Sequence, residues 1–198
     1  MGGRADALLS PRDPLPCVFS LNVPVPGKVR RVAGDLHPEL VGFDRVRERH
    51  TLLAKRFDTA LDDDADSLPR LRERLRPILR AHAGGDREPA GGGGLRLRVT
   101  GLDYFERPTR GPGPVVYLAV ESPDLRALHD RLCDAFGTVT GMEGAAYVPH
   151  VTLARGGRVA DAADLVDRLS IEPVAWTAGE LRVHDSRYRE DAARLPLR

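Results

Sequence analysis

Two stretches decide how this chain is read: HTLLAKR, His50–Arg56, and HVTLARG, His150–Gly156. Each is a short β-leaning run that opens on a histidine, and each closes the same order of signals. In the first half VFSLNV (Val18–Val23) reads as a buried strand. Pro26 then opens a helix through Val29, Val32, Ala33 and Leu36, and HTLLAKR follows. In the second half VVYLAV (Val115–Val120) is the strand, and Ser122-Pro123-Asp124 caps and starts a helix through Leu125, Leu128 and Leu132, after which comes HVTLARG. Pro26 to His50 spans 24 positions and Pro123 to His150 spans 27, while Lys55 and Arg155 each stand five beyond their histidine. The repeat predicts an ancient duplication, with two lobes packed in pseudo-twofold symmetry and the histidine strands facing each other across a central groove.

Composition bounds what such a groove can serve. The chain has 198 residues, 41% hydrophobic and 30% charged, which suits one globular domain with a sizeable core. Its net charge of +1 removes global charge as a driver of nucleic-acid or membrane binding, so any such binding is local. Lys28 and Lys55 are the only lysines, and the arginine skew reads as a GC-rich coding sequence. Cys17 and Cys133 form no CxxC, there is no apolar run long enough to span a bilayer, and Met1–Pro16 lacks the pattern of a leader. A soluble, cytoplasmic, monomeric protein without a membrane partner is expected. Residues 1–15 read as a flexible tail, and the Gly-rich stretch 84–94 reads as a connector between lobes built around 16–82 and 95–198 of a single bilobal domain spanning 16–198. Two more helices are expected, from Ser67 through Leu79 and around Asp161–Leu169, with further strands at Leu95–Thr100, Val174–Trp176 and Leu181–His184.

A pair of imidazoles across a groove suits general acid–base chemistry near neutral pH, one taking a proton from a nucleophile and the other giving one to a leaving oxygen. Phosphodiester cleavage is the reaction this suggests. Thr152 lies two residues after His150 and so on the same side of the strand, where its hydroxyl can donate to a phosphate oxygen. Arg155, at odd spacing, faces away unless the strand ends first. His37, His82, His129 and His184 have no partner in the repeat. There is no HExxH and no clustered Cys/His set, Gly91–Gly94 lacks GxGxxG, and Gly27-Lys28 is not followed by Ser or Thr, so neither metal nor cofactor is expected.

The motif PHVTLAR, Pro149–Arg155, resembles the second His-x-Thr motif of the two-histidine phosphoesterases, and within them of the 2′-5′ RNA ligase / RNA 2′,3′-cyclic phosphodiesterase family. HTLLAKR stands where the first motif belongs, and GLDYFERP (Gly101–Pro108) is similar to the stretch before the family's second half. The resemblance implies an α+β fold with two antiparallel sheets flanking the groove and helices outside. It also implies metal-independent opening of 2′,3′-cyclic phosphates on RNA ends or small nucleotides to 2′-phosphates, with 2′-5′ joining in some members. It makes His50 the general acid and His150 the general base; Thr152, Thr51, Arg155 and Lys55 are the candidates for the phosphate, and Phe105 and Tyr147 those for stacking a base. The first motif departs from the pattern, since Leu52 holds the Ser/Thr position and the hydroxyl sits at Thr51. That departure sustains a second reading: an RNA or nucleotide binding module with a degenerate first motif, using the basic helix Arg70–Arg80 with Arg96 and Arg98.

Overall fold

The computed structural model describes residues 19–57, 68–83 and 94–197. Strand β1 (Phe19–Val23) leads into helix α1 (Gly27–Asp35), the two-residue strand β2 (Arg45–Val46), strand β3 (Leu52–Phe57) and helix α2 (Leu68–Ala83). The second half runs β4 (Leu95–Phe105), β5 (Val115–Glu121), α3 (Pro123–Phe136), β6 (His150–Arg155), α4 (Val159–Arg168), β7 (Val174–Ala178), β8 (Glu180–Asp185) and β9 (Glu190–Pro196). The tail at 1–15, Cys17, the Ser67 cap and residues 84–93 of the connector fall outside the described residues.

Local chemistry accounts for the elements. At α3 the Ser122 hydroxyl accepts from Leu125 N at 3.0 Å, Pro123 starts the helix with its fixed φ, and Gly137 with φ 78° ends it. Helix α2 buries Leu71, Leu75 and Leu79 along one stripe and leaves its arginines outside. Strand β1 buries Phe19, Leu21 and Val23 on one face, matching the alternation of FSLNV, and Asn22 on the other. β3 starts at Leu52, two residues later than the expected strand. β4 continues through Phe105, beyond the expected Thr100, and β9, which pairs with β8, is an additional strand.

The fold is α+β with antiparallel strand pairing throughout, but the two expected sheets are joined. Nine strands form one sheet in the order β7-β4-β5-β6-β3-β1-β8-β9, with β2 on β6. Strands β3 and β6 join at one residue pair, Leu52↔Val151. Beyond it the edge of β6 is taken by β2, with Arg45↔Arg155 and Val46↔Ala154 paired, and Arg47 N donates to Leu153 O at 2.7 Å. With that edge occupied β3 has no ladder left to continue, so the strands diverge and leave a groove between them. On the opposite side the core is continuous: Leu125, Leu128 and Leu132 of α3 pack in the same cluster as Leu52, Ala54, Leu118 and Val151.

Candidate active site

The pairing fixes a counting frame for the groove. In β3, Leu21 pairs with Lys55 and Asn22 with Leu53, so Ala54 is a bulged extra residue. In β6, Val116 pairs with Ala154 and Tyr117 with Thr152, so Leu153 is bulged in the same way. Both the bulges and the Leu52↔Val151 contact are matched by a shift of 99 positions, Ala54 to Leu153. The groove walls obey it: Arg47 and Ala146, Arg49 and Val148, Thr51 and His150, Leu53 and Thr152, Arg56 and Arg155 all line the groove, which encloses about 420 Å³. Each bulge reverses the strand's alternation, so Arg56 follows Leu53, and Arg155 follows Thr152, onto the groove side at a spacing of three.

This frame corrects the sequence reading, which matches His50 to His150 at a shift of 100. His50 is not among the residues lining the groove; it is half-buried elsewhere, where desolvation and the Arg30 guanidinium hold its pKa below the ordinary histidine value. Thr51 holds the position matching His150, and Leu53 the one matching Thr152. Lys55 faces away as well, buried to 1% exposure in an ion pair with Glu143 at 2.5 Å, so it cannot meet a phosphate in the groove. Tyr147 touches the groove but its ring stacks on His129 with centroids 3.7 Å apart, Arg126 lies over it at 5.3 Å, and its hydroxyl donates to Leu53 O at 2.6 Å. Its ring is committed to the fold rather than offered to a base. Thr51, Thr152, His150, Arg155 and Phe105 do line the groove.

His150 is held toward the neutral imidazole. Its Nδ1 lies 2.7 Å from Val148 O; the tautomer that makes this bond carries the proton on Nδ1 and leaves the lone pair on Nε2. Burial lowers its pKa against the raising effect of that bond, and Arg155 and Arg56 lower it further. The ring is wedged by aromatics, Phe105 edge-on at 5.2 Å and Tyr117 at 5.1 Å, which stack on each other at 4.3 Å. Tyr117 in turn donates its hydroxyl to Asp103 at 3.0 Å, and burial together with that carboxylate raises its pKa, so it stays a protonated donor.

The groove is strongly cationic. Arg47, Arg49, Arg56, Arg107, Arg110 and Arg155 line it, and among the described residues no Asp or Glu does. Burial and the neighbouring guanidiniums of Arg47, Arg56 and Arg45 push the Arg155 pKa down. The Nε atoms of both Arg56 and Arg155 are buried with no acceptor among the described residues. A buried donor left unsatisfied costs about 1–3 kcal/mol, and more when charged, so this pair favours an anion between them. Arg56, the counterpart of Arg155, escapes a reading of the sequence because no residue pattern announces a bulge. Its backbone is held from below: Glu143 accepts from Arg56 N at 2.8 Å, Val139 N at 2.9 Å and Lys55, while His129 Nδ1 bonds Ala54 O at 2.8 Å. Among the described residues no group of three or more His, Cys, Asp or Glu is placed to hold a metal ion, and no helix is long and apolar enough to cross a membrane.

The model of the 2′-5′ RNA ligase superfamily matches residues 59–189, a span that starts beyond β3 and so contains the second motif and not the first. No curated protein matches. Among solved structures, TT0787 of Thermus thermophilus is similar with a TM-score of 0.57 and 17% identity, covering 91% of this chain and 98% of that one. LigT of E. coli complexed with NADP+ gives 0.54 and 18%, covering 92% and 98%. A structure described as a phosphoesterase gives 0.50 and 16%, covering 92% and 99%. At these identities the likeness is one of fold.

Proposed function

Because the chain belongs to the 2′-5′ RNA ligase superfamily, we propose that its groove takes a 2′,3′-cyclic phosphate, on an RNA end or a small nucleotide, and opens it to a 2′-phosphate with one imidazole. The observation that carries this is the neutral His150 beside two arginines whose buried Nε atoms lack acceptors. Arg56 and Arg155 take the non-bridging phosphate oxygens, and the Thr152 and Thr51 hydroxyls donate to them from either side. His150 Nε2 takes a proton from water as the water oxygen bonds to phosphorus. The bond from phosphorus to the 3′-oxygen breaks, its electron pair leaves with that oxygen, and the proton that neutralises it comes from solvent. A 5′-hydroxyl in place of water gives 2′-5′ joining by the same route. Phe105 is the apolar wall for the base. The nucleotide in the LigT crystal supports a ligand of this class.

A second reading, binding without turnover, is favoured by Thr51 at the position where a second imidazole would act as acid. The test is an oligonucleotide ending in 2′,3′-cyclic phosphate, incubated in EDTA with wild type, His150→Ala and His50→Ala. A 2′-phosphate product that is lost with His150 and retained without His50 supports the hydrolytic reading. Tight binding with no product in any of the three selects the binding module.

A further inference from the structure

The groove makes no use of the cationic face of α2. Arg72, Arg76 and Arg80 stand four apart on that helix, so they recur at about 6 Å intervals along one stripe. The adjoining stripe of Leu71, Leu75 and Leu79 is buried, which fixes the helix's rotation and holds the arginines at the surface. Against them lies β9, the last strand of the sheet, whose Arg194 completes a second cleft of about 320 Å³ with Leu79, Leu195 and Pro196. Among the described residues no acid lines this cleft, and it shares no residue with the groove. Among the described residues none of its four guanidiniums makes an ion pair. Like charges four apart weaken a helix, so the row is a cost to the isolated fold that a bound polyanion relieves.

We infer that the cleft between α2 and β9 binds the phosphate backbone of single-stranded RNA. The arginine interval is comparable to the separation of successive phosphates along a strand, and the apolar floor lets the guanidinium stems lie flat beneath it. The choice of RNA among polyanions rests on the reading of the groove given above. Charge neutralisation of this kind has a quantitative signature, a salt slope of about 0.7 per phosphate contacted on a single strand.

The experiment measures binding of a short single-stranded oligoribonucleotide with a 3′-hydroxyl across a salt series. It compares wild type with R72A/R76A/R80A/R194A and with the same four changed to lysine. The alanine variant is expected to lose affinity and about two to three units of slope, and the lysine variant to recover them, while turnover of adenosine 2′,3′-cyclic phosphate is unchanged in both. Wild-type affinity and slope in the alanine variant overturn the inference. Oligomer binding lost with these arginines in a protein that leaves the cyclic mononucleotide untouched sinks the groove reading and keeps this one.

Discussion

If the groove counts by 99, the missing imidazole belongs at position 51, and Thr51→His is the substitution that supplies it. Thr51 lies just before β3, exposed, and lines the groove together with His150. A histidine there costs the fold little, within about 0.5 kcal/mol for an exposed site. A placed general acid contributes roughly 100-fold to 10,000-fold, or about 2.7–5.4 kcal/mol of barrier at 1.36 kcal/mol per tenfold. The wild type, in which the leaving oxygen is protonated by solvent, is expected to be slower than T51H by that factor. The assay is kcat for 2′,3′-cyclic nucleotide opening in wild type, T51H, H50A and H150A. T51H is expected to gain, H150A to fall to background and H50A to match wild type. Loss of turnover in H50A would falsify the frame, because a residue outside the groove would then be supplying the acid. No gain in T51H alongside collapse in H150A would refute the role assigned to the second position.

The rate of the wild type should rise once as pH increases through the lowered His150 pKa and then stay level through neutrality, whereas T51H should give a bell, both read from kcat/KM against pH. His129 and His150 are both held with depressed pKa, so the unfolded chain binds more protons between their folded values and 6.5. Stability is therefore full above pH 6.5 and is lost as pH falls through that window, which denaturant melts at a series of pH values will show. Lys55→Met should cost about 3–5 kcal/mol of stability by leaving Glu143 buried without its cation, measured by urea titration.

Apart from β2 and β9, the order of strands and helices, the Ser122 cap and the convergence of β3 on β6 are legible in the sequence because apolar period and capping chemistry carry them. The register inside that convergence is not. Counting from histidine to histidine gives 100, and only the bulges and the ladder set the shift at 99, which matches His50 to Pro149 and Thr51 to His150. The bulges at Ala54 and Leu153 leave no composition signal, so Arg56 goes unmarked and Lys55, the residue before it, stands out instead. Lys55 misleads for a second reason, that its counter-charge Glu143 lies 88 positions away. Tyr147 and Phe105 look alike as aromatics near a motif, yet one is locked by a hydroxyl bond to Leu53 O and the other faces the groove. The strand β9 is nearly all polar or small, EDAARLP, and is recognisable only once β8 stands beside it.

The seam between the halves has a mechanical consequence. On its helix side the molecule is welded by a continuous core, while on its groove side β3 and β6 share a single stitch at Leu52↔Val151. An anion held as proposed, by Arg56 from β3 and Arg155 from β6, is a second stitch between these two strands, made of ionic bonds instead of amide ones. Occupancy of the groove therefore stiffens the sheet across its own middle, and the ligand becomes part of the architecture that holds it.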